Sequence, residues 1–141
     1  MTTTIMLIHG AWLNAYSWKG FKARYEAEGF RVIAKSWPYD ERSPAELRAS
    51  PRPELANLSQ RDIVDHYARE IATLDETPIL IGHSLGGVIV QHLLDRGLGA
   101  AGVAIGDCPA QARQVGPDGP AHGIGRRFHR GGQPPAPHPR R

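Results

Sequence analysis

Five residues, Gly82-His83-Ser84-Leu85-Gly86, have the types and spacing for acyl transfer. In a Gly-x-Ser-x-Gly run between an apolar strand and an apolar helix, the serine occupies a sharp turn. Its neighbours must be small because the backbone folds back on itself there. Gly82 and Gly86, with Gly87 beyond, leave that room. The turn lifts the Ser84 hydroxyl above the sheet and aims a helix N-terminus at the reacting centre. The backbone N–H of Leu85 is then placed to stabilise a developing oxyanion. A glycine-rich turn with an incidental serine is the bland alternative, and the flanking elements argue against it. Acyl transfer by serine also needs a histidine base oriented by a carboxylate.

The elements around this turn follow from the apolar pattern. Thr4 to Ile8 is a short apolar run ended by His9-Gly10 and reads as a buried strand. A helix from about Ser17 shows Trp18, Phe21 and Tyr25 on one face, with Gly29 as its stop. Phe30 to Ala34 reads as a second strand. Ser36 to Leu58, with Pro38, Pro44, Pro51 and Pro53, reads as a polar connection, a loop or lid. Ser59 and Asp62 stand at capping-box spacing before a helix carrying Ile63, Tyr67, Ile71 and Leu74, which Pro78 stops. Ile79 to Ile81 is a third strand running into the serine turn. Val88 to Leu94 continues as an apolar helix closed by Gly97, and Gly102 to Ile105 is a weaker fourth strand.

Strands alternating with helices imply an α/β fold, a parallel sheet of about four strands with flanking helices on both faces. If the second and third strands lie on opposite sides of the first, the strand order reverses between the first and third. Ligands of open α/β sheets bind in that crevice, beyond the strand C-termini. His9-Gly10-Ala11 and Ser84 fall at those two ends.

Ile8-His9-Gly10-Ala11-Trp12 after the first strand, together with Gly82 to Gly87, resembles the α/β-hydrolase superfamily, closest to its small esterases and hydroxynitrile-lyase-like members. The resemblance spans residues 4–106, a partial α/β-hydrolase fold. It implies that Ser84 is the nucleophile, that Ala11 N–H is the second oxyanion donor beside Leu85, and that no cofactor is needed. A serine rather than an aspartate in the elbow argues against the dehalogenase and epoxide-hydrolase branches. An apolar acyl pocket is expected from His9, Gly10, Trp12, Tyr16, Trp37 and Tyr39, with Trp18, Phe21 and Tyr25 as core aromatics.

The superfamily's chain order is Ser, then Asp or Glu, then His, on loops after later strands. Asp107 follows the fourth strand, where a minority of the superfamily places its acid; ending a strand is the commoner role for such a residue. His122, His129 and His138 come in the right order but lie in a segment of different character. His9 belongs to the turn that shapes the oxyanion loop, and His66, His83 and His92 are assigned structural roles.

That segment is residues 109–141, which hold seven Pro, six Gly and six Arg against one acid, Asp118. It reads as a basic, disordered tail following a slightly acidic domain of residues 1–108. Compositions of this kind also arise when a GC-rich gene is read out of frame. The expectation is therefore a truncated, weakly active or inactive esterase-like serine hydrolase acting on a small-molecule ester. Completion by Asp107 and a tail histidine, or by another chain, is the alternative among enzymes. A catalytically dead binding module whose basic tail contacts nucleic acid or a surface is the rival from another class.

Other signals are weaker. Gly97 to Gly102 spells a dinucleotide fingerprint but precedes a strand, so no helix N-terminus meets a pyrophosphate. A single cysteine, Cys108, allows no intrachain disulfide and fits a cytoplasmic setting. No signal peptide or membrane span is read, no metal-ligand spacing is present, and one short Arg cluster is thin support for nucleic-acid binding.

Overall fold

The computed structural model describes residues 2–106. Four parallel strands, β1 (Thr4–Ile8), β2 (Arg31–Lys35), β3 (Ile79–His83) and β4 (Ala101–Ile105), form one sheet in the order β2-β1-β3-β4. The order reverses between β1 and β3, as the sequence led one to expect.

Alternate residues of β1 feed two cores, because successive side chains of a strand point to opposite faces. Ile5 and Leu7 meet Trp18, Val32 and Ile81 on the side of helix α1 (Lys19–Ala27). Met6 and Ile8 join Leu80 beneath helices α3 (Gln60–Ile71) and α4 (Leu85–Asp95), where Ile63, Val64, Tyr67, Ile89 and Leu93 pack. The face of α3 is the one read from its periodicity, and its cap is a full capping box of Ser59 and Asp62. A 3-10 turn over Ala15–Trp18 precedes α1, so the helix proper starts two residues later than the Ser17 boundary.

One expectation needs correction. The connection of residues 36–58 contains a short helix, α2 (Pro44–Ala49), and a 3-10 turn at Pro53–Asn57. Its prolines start these elements rather than break them: Pro44 stands at the first turn, and Ser43 and Glu46 cap each other reciprocally. The weaker strand read at residues 102–105 is β4, which pairs with β3 and is exposed along its length, Val103 47% and Ile105 37%.

Candidate active site

The turn between β3 and α4 is built by close approach. Ser84 adopts φ 53° and ψ −122°, a left-handed conformation that L-residues avoid, and begins α4 without a side-chain cap bond. Two backbone bonds hold it there: Ser84 N–H donates to Ile105 C=O at 2.8 Å, and Gly87 N–H to Ser84 C=O at 2.8 Å. A Cβ on Gly86 would stand 2.2 Å from Ile8 C=O, so α4 reaches the end of β1 only because that position is glycine. A strained backbone over-determined by its surroundings is the pattern of a functional turn.

Gly10 closes the other side of the crevice. A Cβ there would lie 3.0 Å from Ser84 Cβ and 2.9 Å from His83 C=O, which brings the loop after β1 against the serine. The Leu85 N–H lies in the first turn of α4, where no intrahelical acceptor exists.

His9, expected both in the pocket wall and as the shaper of this loop, is fully buried and offers no surface to a ligand. Its Nδ1 is 2.9 Å from Gly10 C=O, and Trp37 N–H donates to its Nε2 at 3.2 Å. A backbone N–H can only donate, so Nε2 carries the lone pair and Nδ1 the proton. Burial, against the opposing effect of the Gly10 bond, pushes the imidazole down to about 4, so it is neutral at pH 7. Gly10 C=O and Ala11 N–H share one planar trans peptide. The His9 bond therefore fixes the direction of the Ala11 N–H.

The expected pocket aromatics do not gather at Ser84. Trp12 occupies the turn after β1 at φ 66° with its side chain wholly in solvent, and Tyr16 is exposed. Trp37 stacks on His9 with ring centroids 4.9 Å apart, and Tyr39 lies exposed under the Arg52 guanidinium. A shallow cleft of about 230 Å³ is lined instead by Leu13, Ser17, Trp18, Phe21, Ile105 and His83, the residue before Ser84. Phe21, read as core, is a wall of this cleft and meets the buried Trp18 edge-on at 5.2 Å.

Among the described residues, the ring nitrogens of His9 and His66 bond backbone groups, and His83 is the histidine next to Ser84. His66 Nε2 bonds to Ser36 C=O, and His92 points outward from α4. His83 is adjacent in sequence and lines the cleft. Asp107, Cys108, His122, His129 and His138 lie outside the described residues. No group of three or more His, Cys, Asp or Glu that could hold a metal occurs among the described residues. No helix among them is long and apolar enough to cross a membrane.

A family model described as the alpha/beta hydrolase family matches residues 5–141 of this chain. Methylesterase 3 of Arabidopsis thaliana is 29% identical, the match covering 64% of this chain and 33% of that protein. A monoacylglycerol lipase from Paleococcus ferrophilus is similar in fold at a TM-score of 0.58 and 24% identity, over 73% of this chain and 39% of that one. Polyneuridine aldehyde esterase is similar at a TM-score of 0.55 and 23% identity, over 74% and 40%. At these identities the structural likeness speaks to fold alone. The chain spans about a third of the length of the curated relative and about two fifths of these structures.

Proposed function

Because this chain belongs to the alpha/beta hydrolase family, we propose that it is esterase-like in chemistry, with Ser84 as the nucleophile toward a small-molecule ester. The observation that carries this is the conformation of Ser84, held at φ 53° on the turn from β3 into α4 with Gly10 against it. In this reading the Ser84 oxygen adds to the ester carbonyl, and the alcohol leaves to give an acyl-serine that water then cleaves. The Ala11 and Leu85 amides receive the oxyanion of each tetrahedral intermediate. The apolar cleft beside His83 receives the acyl or alkyl group.

Attack by serine requires a base to take its proton. His9 and His66 spend ring nitrogens elsewhere. Asp107 as acid and a histidine of residues 109–141, or groups from outside residues 1–141, are the sources this reading draws on. Losing the serine or histidine of a serine protease costs on the order of 10⁶ in kcat. An oxyanion hole with binding alone retains roughly 10³–10⁴ over water. The proposal is therefore weak turnover by residues 1–141 taken by themselves; the single cysteine fits a cytoplasmic setting.

Steady-state hydrolysis of a short p-nitrophenyl ester tests it. Slow turnover that Ser84→Ala abolishes supports the reading. Turnover near the usual enzyme value of about 10 s⁻¹, abolished by Ser84→Ala, overturns the incomplete base. Substituting His122, His129 and His138 singly then locates the donor. Turnover unchanged in Ser84→Ala removes the nucleophile assignment. Salt-dependent nucleic-acid binding that disappears on deleting residues 109–141 favours the rival binding module.

A further inference from the structure

The tie between the loop after β1 and the loop after β2 passes through one nitrogen lone pair. Trp37 N–H donates to His9 Nε2, and Asp40 Oδ2 stands 3.9 Å from the same nitrogen, just beyond bonding distance. The Asp40 amide donates to Trp37 C=O at 3.1 Å, which holds the carboxyl and the Trp37 amide over the same edge of the imidazole. Asp40 is 8% exposed, and no Lys or Arg among the described residues pairs with it. A second carboxylate, Glu41, follows it in the chain.

We propose that Asp40 is a positioning residue for the Gly10–Ala11 peptide, acting through His9: proton uptake by the Asp40–His9 pair displaces the Trp37 amide from His9 Nε2 and loosens the grip of the second loop on the first. The positioning role rests on Ala11 N–H being an oxyanion donor.

The exchange follows from counting one lone pair. With no added proton, Nε2 accepts from Trp37 N–H. One added proton has two places to sit. On Asp40, it makes a carboxyl O–H that donates to Nε2 once Oδ2 closes from 3.9 Å to bonding distance. On His9, it makes an Nε2–H that donates to the carboxylate and faces the Trp37 N–H donor head-on. In both arrangements Trp37 N–H loses its acceptor, so the outcome does not depend on which partner holds the proton.

The surroundings place this uptake in mildly acidic water. Burial first, and the charge of Glu41 second, push Asp40 up to about 6, while burial pushes His9 down to about 4. The other groups packed around Asp40 do not supply a counter-charge. From α3, Tyr67 donates its hydroxyl to Lys35 C=O and is itself pushed up by burial, then by Asp40 and Glu70. His66, also on α3, bonds to Ser36 C=O, and Arg42 turns its guanidinium to Ser50 C=O. From the 3-10 turn before α1, Asn14 donates to Arg42 C=O and Ala15 N–H to Ser36 Oγ, so the two loops touch at neutral groups elsewhere. His9 Nε2 is thus the titrating point of contact between them.

The test uses the full ¹⁵N-labelled chain, following the Trp37 backbone amide and the His9 ring nitrogens from pH 7.5 to pH 5. The expected result is one step near pH 6, with the Trp37 amide proton moving upfield as its bond is lost. Asp40→Leu, which has no donor, removes the step. Asp40→Asn, whose amide donates at every pH, holds the Trp37 amide at its acidic value throughout. In parallel, the rate of Ser84 labelling by a phosphonate falls several-fold across the same step in the natural chain and is flat in Asp40→Leu. A Trp37 amide that does not move, or a step that survives Asp40→Leu, overturns the proposal. A Trp37 step with a flat labelling rate keeps the exchange and overturns Ala11 as the donor it positions.

Discussion

Removing the Ser84 side chain in two ways separates backbone strain from chemistry. Ser84→Ala and Ser84→Gly both lack the hydroxyl, but only alanine keeps a Cβ at φ 53°, ψ −122°. Holding a non-glycine residue in such a region costs of order 1–3 kcal/mol. Glycine releases that strain, at about 0.5–1 kcal/mol of extra chain entropy in the unfolded state. The difference makes Ser84→Gly more stable than Ser84→Ala by about 1 kcal/mol, or about 4–8 °C in Tm for a domain of this size. Urea unfolding of the two variants, with equal m-values as the check on two-state behaviour, measures it. The ordinary order, alanine above glycine by about 0.5–1 kcal/mol, would refute the strained turn and with it the structural case for Ser84.

Gly86→Ala should fail to give a stably folded chain, since its Cβ meets backbone at Ile8 that no side-chain rotation can clear; circular dichroism melts read this directly. Asp40→Leu, which removes the buried charge and leaves the Trp37–His9 bond in place, should stabilise the chain at neutral pH. The folded carboxyl titrates near 6 against 3.8 for the free group, so the folded state loses stability as pH rises from about 4 through 6. The ceiling on that loss is about 3 kcal/mol, present above pH 6 and gone below about 4. His9 acts in the opposite sense. Its folded value near 4 against 6.5 removes stability as pH falls from 6.5 toward 4, so the natural chain should show a nearly flat stability profile across this window. Asp40→Leu should unmask the His9 fall, and a flat profile in that variant would contradict the assignment. Reading the gene in its other frames downstream of about codon 106 should reveal an acid and then a histidine in strand and helix patterns; early stops in both would end the out-of-frame explanation of residues 109–141.

The parts of this fold that sequence made legible are those fixed by local chemistry. Ile79 to Ile81 followed by Gly-x-Ser-x-Gly could only be a strand entering a tight turn, and the structure places Ser84 there. The capping box at Ser59 and Asp62 is equally local. The same signal at Ser43 and Glu46 is masked by the surrounding prolines, which read as breakers although Pro44 stands where a first helical turn tolerates it. The placement of the expected pocket aromatics was illegible for a different reason. Trp12 follows the oxyanion loop in sequence, yet φ 66° at that residue leaves its ring in solvent, a backbone fact no periodicity encodes. The pairing of His9 with Trp37 and Asp40 spans about thirty residues and depends on the register of β1 against β2, so composition and spacing could not announce it.

The central claim is that Ser84 is a nucleophile carried on a strained turn. Incubating the chain with a fluorophosphonate and locating the adduct by peptide mass spectrometry tests it most directly. The account predicts a single, slowly formed adduct on the peptide containing Ser84, absent from Ser84→Ala. An adduct that forms equally in Ser84→Ala, or maps to any other residue, would contradict it.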